Sequence, residues 1–395
     1  MRHGTLILLL FALFTQACSE APLFTSDPNK RLNYPISMVL VPGSNLALVA
    51  NANANLNQSF GSLFAIDLDS RSLLIETKLD LPAFSGRMVI DGTSNRLYIA
   101  NKDTESVLVY EYSVPGNNGA AISFEEVSVM NPANRTVNGL RTDESPFDMA
   151  LIPNAPQGPL MYTSNIASGS VSVSNVSTLE TTDLNPSKPD LYGLPLISSA
   201  NFRDVDLMPG IGAYRFALEP NQGRLLYVTS SRVNSIYVVD TFAQNIEAMI
   251  DLSFLSNTPG TRGITISSSG LAYVAVPALQ IVAILDVSAI TDNGMDYEVL
   301  EPQLIGFIPV GEDPESVALS ADELTLYVLN QGDPSLDLID LPTRTKKTRT
   351  LLESAISPAD FILNAPRDEI YVLGYLSNRI SVLNLTTGSP IANIE

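Results

Sequence analysis

One phrase recurs seven times along this chain, and no other feature restricts the possible fold as strongly. It is an apolar strand carrying a tyrosine, a short polar bend, and a second apolar strand closed by a polar residue. In order it reads "LALVANANANLNQSFGSLFAIDL", "LYIANKDTESVLVYEY", "MYTSNIASGSVSVSNV", "LYVTSSRVNSIYVVDT", "AYVAVPALQIVAILDV", "LYVLNQGDPSLDLIDL" and "IYVLGYLSNRISVLNL". In six copies the closing polar residue stands thirteen positions after the tyrosine: Tyr98 to Glu111, Tyr162 to Asn175, Tyr227 to Asp240, Tyr273 to Asp286, Tyr327 to Asp340 and Tyr371 to Asn384. In the first copy Leu48 and Asp67 take these places, with six extra residues in the bend. From Leu48 onward the copies start 50, 64, 65, 46, 54 and 44 residues apart. That average of about 54 falls near the period of four-stranded propeller blades.

A further short apolar strand precedes each copy ("SMVLV", "RMVI", "DMALI", "RFALEP", "GITIS", "SVALS", "DFILN"), and a fourth candidate follows most of them, as in "SLLIETKLDL" and "KKTRTLL". Each unit therefore reads as a four-stranded antiparallel meander. Its middle strands, such as "LLYVTS" and "SIYVVD", are almost continuously apolar, whereas a sheet with one wet face would alternate in period two. Both faces must be covered, and radial stacking of blades does this. The expected fold is all-β, a seven-bladed β-propeller of four-stranded antiparallel blades over residues 34–395; a sandwich and a β-helix are the alternatives. The segment Gly388 to Glu395 supplies the last blade with its own fourth strand, so an N-terminal clasp from residues 22–33 is not required.

At "LYVTS", "LYIAN" and "LYVLN" the sequence resembles the YVTN-type β-propeller repeat proteins, and their wider phrase is matched by "DPESVALSADELTLYVLNQGDPSLDLID". The resemblance covers roughly residues 34–395 and implies the lactonase-like seven-bladed superfamily. That group includes surface-layer modules, envelope lipoproteins and lactonase-like enzymes, so it implies a fold and no single activity. No catalytic residue of the family maps onto a matching motif here.

Residues 1–17 read as a signal peptide: Met1-Arg2-His3, an apolar run from Leu6 to Phe14, then Thr15-Gln16-Ala17 ahead of Cys18. Nine apolar residues suit a secretory h-region and are too few for a permanent span. A small residue before the only cysteine resembles the bacterial lipobox, whose cysteine is diacylated. Thr15 and Gln16 depart from the usual residues there, and Thr-x-Ala would also suit ordinary signal peptidase. The expectation is an exported lipoprotein with Cys18 as lipidation site and 18–33 as tether, at the outer membrane or its periplasmic face; a soluble secreted protein is the alternative. Ser19 after the cysteine resembles outer-membrane sorting.

The sequence holds 22 Lys+Arg against 42 Asp+Glu, a net charge of −20. Such a surface repels nucleic-acid phosphates and anionic lipid headgroups, so no nucleic acid is expected, and the membrane is expected only through the lipid anchor. The one histidine and the one cysteine lie at His3 and Cys18, and there is no tryptophan. A processed chain would therefore hold no histidine or thiol within its fold, which excludes Ser-His-Asp and Cys-His catalysis, zinc sites of the usual types, blue copper, c-type haem and iron–sulfur clusters. No cofactor and no metal site is expected. The chain reads as a monomer.

Chain order puts the bend between strands two and three, and the loop from strand four to the next blade, on one upper rim. The longest insertions are expected there: Asn51 to Ser59, Asn131 to Ser145, and much of Ser177 to Gly212, a segment whose own fourth strand the sequence does not place. Insertions gathered on one face mark a binding surface for a protein, glycan or small ligand, or are tolerated decoration. Two positions per blade should line the channel mouth: Ile36-Ser37, Gly86-Arg87, Phe147-Asp148, Tyr214-Arg215, Arg262-Gly263, Glu315-Ser316 and Ala359-Asp360. This yields a candidate ligand site of Arg87, Phe147, Asp148, Tyr214, Arg215, Arg262, Glu315 and Asp360. Arginine forks could hold a carboxylate or phosphate; the simpler reading is that the six ions neutralise one another. The leading expectation is a non-catalytic binding module. The alternative is a lactonase-like hydrolase using carboxylates and arginines at the mouth, with Asp148, Glu315 or Asp360 as a base of shifted pKa. The recurring Asp67, Asp240, Asp286 and Asp340 read as caps of the following turns and not as calcium ligands. The basic run Lys346-Lys347-Thr348-Arg349 reads as protection of an outer edge.

Overall fold

The computed structural model describes residues 31–52, 60–115, 122–130, 136–137, 139–184, 193–196, 212–256, 258, 260–290, 298–300, 303–353 and 356–395. The signal peptide, Cys18 and the tether as far as residue 30 lie outside these residues. Seven antiparallel sheets stand in sequence order, each a meander of four strands. Their innermost strands are Pro35–Leu40, Ser85–Asp91, Pro146–Ile152, Ala213–Leu218, Ile264–Ile266, Pro314–Leu319 and Pro358–Asn364, which we number as blades one to seven. Neighbouring innermost strands lie against each other in order, and that of blade one meets that of blade seven, so the sheets form a closed ring. The fold is a seven-bladed β-propeller.

The reason is visible in how each sheet hides its two sides. The apolar side chains form seven clusters, each shared by two successive blades. No blade has a core of its own. The motif tyrosines project across these seams: Tyr98, Tyr162, Tyr227, Tyr273, Tyr327 and Tyr371 each pack in the cluster shared with the following blade, and Leu48 does so in blade one. The Tyr162 hydroxyl donates to the Thr241 carbonyl at 2.8 Å and that of Tyr327 to the Leu385 carbonyl at 3.1 Å, both in the next blade. The Asp67, Asp240, Asp286 and Asp340 carboxylates accept backbone N–H groups two or three residues on, as turn caps do.

Among the described residues the ring closes without strand exchange. The last outer strand, Pro390–Ile394, follows its own blade. Leu32, fully buried, instead wedges between blades one and seven. The Tyr34 N–H donates to Asn378 Oδ1 at 2.8 Å, and Arg71 Nη2 meets Glu369 Oε1 at 2.6 Å lower on the same seam.

Two of the segments expected on the upper rim contain pieces of split outer strands. In blade two the outer strand is split: Ser123–Glu126 pairs with the lower end of the third strand at Tyr110 to Ser113, while Leu140–Arg141 pairs with its upper end at Ser106 and Val107. Blade three repeats this with Glu180–Thr181 and Leu194–Pro195. In both blades the outer strand is thus made of two pieces that pair with opposite ends of the third strand. An outermost strand has a neighbour on one side only, so looping out there breaks one ladder where the same event further in would break two. In blade five, Glu298–Leu300, between the third and outer strands, adds parallel to the outer strand of blade four. Residues 53–59, 131–135, 138, 185–192 and 197–211, where much of the expected rim falls, lie outside the described residues. The basic run of blade six has an inner partner as well as an edge position: Lys346 and Arg349 both pair with Asp337, which is fully buried on the third strand.

Candidate functional site

Each blade begins with the same local device. A residue of left-handed conformation comes first: Tyr34, Phe84, Ser145, Gly212, Asp313 and Ser357 at φ between 40° and 64°, and Gly260 at 115°. The innermost strand then opens, four times with proline (Pro35, Pro146, Pro314, Pro358), at a first position where a missing N–H costs no ladder bond. Next, two residues oppose one on the second strand. Gly86 and Arg87 share the place opposite Ala100, and Tyr214 and Arg215 that opposite Thr229, because the register jumps between their flanks. Similar shifts occur in blades one, three, six and seven. In blade five Arg262 and Gly263 both bond Ala275. Such β-bulges bend the strand and re-aim side chains. Their two-residue positions are the seven pairs read from the sequence.

The structure brings all eight predicted mouth residues together. Arg87 lies between two aspartates, pairing with Asp360 and reaching Asp148 Oδ1 at 3.6 Å. Asp148 also accepts the N–H groups of Met149 and Phe216 at 3.0 Å each. Glu315 takes three partners: the Tyr214 hydroxyl and Arg215 Nη2 (3.3 Å) on one oxygen, and Arg262 Nε (3.4 Å) on the other. Ser316 links the halves, accepting from Arg215 Nη2 at 3.2 Å and donating to Asp360 Oδ1 at 3.1 Å. Phe147 and Tyr214 stack with centroids 4.7 Å apart, and Arg262 lies 5.1 Å from the Tyr214 ring centre.

Burial dominates the titration of this network. It pushes Asp148 and Asp360 above the usual carboxylate range against the pull of Arg87, and Glu315 up to about 7 despite Tyr214 and Arg262. Burial acts to lower Arg87, yet it is raised, because Asp360, Asp148, Tyr214 and Glu315 together outweigh that burial. Burial lifts the Tyr214 hydroxyl, and the adjacent Glu315 lifts it further.

A cavity of about 280 Å³ opens over these groups, lined by Arg87, Phe147, Tyr214, Arg215, Arg262 and Glu315 together with Ile36, Gln331, Ala359 and Tyr375. Gln331 and Tyr375 were not singled out in the sequence, nor was Lys102, whose Nζ lies 5.0 Å from the Phe147 ring centre. All three follow directly on the end of a second strand. In six blades that residue donates its N–H to the left-handed residue ahead of strand one, at 2.9–3.3 Å. The position that follows strand two thus supplies the mouth with Gln331 and Tyr375 in blades six and seven, and the aligned repeats carry the signal for that position. The motif asparagine itself is structural: Asn101 and Asn330, fully buried, bond the surrounding loop and bend.

No family model matches this sequence, and no curated protein matches it. Among solved structures the chain is similar to hydrazine synthase of Kuenenia stuttgartiensis, with a TM-score of 0.60 at 12% identity over 92% of this chain and 99% of that one. It is similar also to virginiamycin B lyase of Staphylococcus aureus (TM-score 0.56, 11% identity, 88% and 94% covered) and to a functionally unknown protein from Desulfotomaculum acetoxidans (0.61, 14%, 89% and 95%). At such identities the likeness shows the propeller alone. The neighbours include enzymes and a protein of unknown function, so the shared architecture points to no single activity.

Proposed function

We propose that this chain is a non-catalytic binding module of the cell envelope, tethered through an acylated Cys18 and receiving a ligand at the channel mouth. One observation carries the binding reading: every mouth carboxylate is already committed. Asp148 holds two backbone N–H groups and faces Arg87, Asp360 holds Arg87 and Ser316, and Glu315 holds Tyr214, Arg215 and Arg262. A general base needs an oxygen free to reach its substrate, whereas a binding site needs only a rigid, charged wall. The tether rests on the lipobox-like Ala17-Cys18.

A hydrolase is the second reading, and Glu315 favours it, since a buried carboxyl raised to about 7 beside a cavity suits acid–base work. Turnover of a lactone panel by the intact chain, compared with Glu315→Gln, separates the two. Hydrolysis that falls about 100-fold or more in the variant replaces the binding reading; absence of turnover supports it. Recovery of the ligand follows from native mass spectrometry of the protein captured from envelope extracts, with Arg87→Ala plus Arg262→Ala as the comparison. Intact-mass measurement of the processed chain tests the anchor, and an unmodified Cys18 overturns it.

A further inference from the structure

The charges of the mouth balance in number but not in position. Three arginines face three carboxylates, yet the cavity wall is built from Arg87, Arg215, Arg262 and only one acid, Glu315. Asp148 and Asp360 stand behind the arginines they hold. Their side chains are 7% and 9% exposed, against 25% for Arg87 and 30% for Arg262. What an incoming molecule meets is guanidinium edge, in a chain whose net charge is −20.

Arg215 adds a second, independent sign. It is 4% exposed and lines the cavity, its guanidinium 5.2 Å and 5.5 Å from the ring centres of Phe147 and Tyr214, but only its Nη2 is hydrogen-bonded, to Glu315 and Ser316. The buried Nε and Nη1 groups find no acceptor among the described residues. Buried donors left unpaired are costly, and an arginine offers five N–H groups that only acceptors can satisfy. The rest of the lining is largely apolar, with Ile36, Ala359, Phe147 and Tyr375 around the arginines. A cavity of about 280 Å³ lies at the small end of ligand sites.

We infer that the mouth takes a small organic anion, its carboxylate or phosphate oxygens meeting Arg262, Arg87 and Arg215 and its short apolar body lying against Ile36, Ala359 and Tyr375. This deepens the binding reading above and rests on it. Glu315 acts as the resident counter-anion: it occupies Arg215 and Arg262 when the site is empty and shares them when a ligand oxygen arrives. Protonation of this one acidic group on the wall leaves both arginines short of negative charge, which favours the incoming anion.

Calorimetric titration of the full chain at neutral pH tests the inference with four probes of similar size: benzoate, phenyl phosphate, neutral benzamide and cationic benzylamine, each to about 10 mM, where even a millimolar Kd registers. Benzoate or phenyl phosphate should bind, with benzamide and benzylamine about tenfold weaker or more. Arg262→Ala should weaken the anions about 10- to 100-fold, as loss of a charge-assisted contact does, and Arg262→Gln serves if the alanine variant loses its folded circular-dichroism spectrum. Whichever of benzoate and phenyl phosphate binds more tightly assigns the head group. Binding of benzamide or benzylamine as tight as that of the anions, and equally dependent on Arg262, overturns the anion class while leaving the mouth a binding site. Anion binding indifferent to both Arg262→Ala and Arg87→Ala removes the mouth as the site, and no heat from any probe overturns the inference outright.

Discussion

Two oxygens of Glu315 hold three side chains at the mouth, and the consequence is measurable at the scale of that residue. Burial lifts its carboxyl from an ordinary 4.5 to about 7, so between these values the folded protein keeps a proton that the unfolded chain has already released. The stability this group contributes is therefore complete below about 4.5 and is lost as pH rises through about 7. Glu315→Gln removes the titration. The advantage of the wild type over Glu315→Gln in chemical denaturation should accordingly shrink on going from about pH 5 to about pH 8; a difference that stays constant or widens contradicts the raised value. The site was legible in sequence as far as the repeats could be aligned, because a bulge falls at the same two positions in every blade. Lys102, Gln331 and Tyr375 are less legible because they follow strand two, where the residue type changes from blade to blade and no common pattern marks a lining position. Which arginine would face which acid was not legible, since pairing depends on reach across the ring between Arg87, Asp148 and Asp360, residues far apart in the chain.

At the scale of the strand, the seven bulges and the motif tyrosines do different work. Gly263 shows how closely the innermost strands pass: a Cβ there would stand 2.8 Å from Ser316 Cα and Val317 N and 2.9 Å from the Glu315 carbonyl, all backbone atoms of the next blade. Gly263→Ala should cost about 1–3 kcal/mol, the usual penalty of overpacking, whereas at Gly86 the nearest atoms are 3.4 Å away and alanine should cost less. Thermal unfolding of the two variants compares them directly, and equal losses would refute the crowding argument. Tyr162 carries the complementary case, a fully buried ring whose hydroxyl donates into blade four. Tyr162→Phe should lose about 1 kcal/mol and strand one acceptor; Tyr162→Ala, which also opens a cavity, should lose about 3–5 kcal/mol. Denaturant midpoints check both. The strands themselves were readable from continuous apolar runs and equal spacings. The split outer strands of blades two and three were not, because a two-residue strand such as Leu140–Arg141 or Glu180–Thr181 has no period to detect, and its pairing is fixed by the third strand it rejoins.

For the whole ring the decisive place is the junction of blades one and seven, where the chain must hold its two ends together without a strand from one completing the sheet of the other. Among the described residues no main-chain ladder crosses this seam. It is held by an apolar cluster in which Leu32 packs beside Phe64, Tyr371, Ile380 and Ile394, by the edge-on contact of Tyr34 and Tyr375 at 5.0 Å, and by lower-face pairs such as Arg367 Nη1 with Asp69 at 2.8 Å. The pairs involving exposed Asp69 contribute little, about 0–1 kcal/mol each. Leu32 is fully buried, and removing most of its side chain should cost about 2–5 kcal/mol. Because each blade's apolar faces are covered only by its neighbours, opening this seam bares one face of blade one and one of blade seven while the other six interfaces stay closed. Leu32→Ala should therefore lower global stability and, in native-state hydrogen exchange, speed the amides of blades one and seven before those of blades three to five. Arg367→Ala should leave that ordering as it is in the wild type. Uniform acceleration around the ring in Leu32→Ala would mean that the propeller unfolds as one unit, with Leu32 an ordinary core residue and not the closure of the ring.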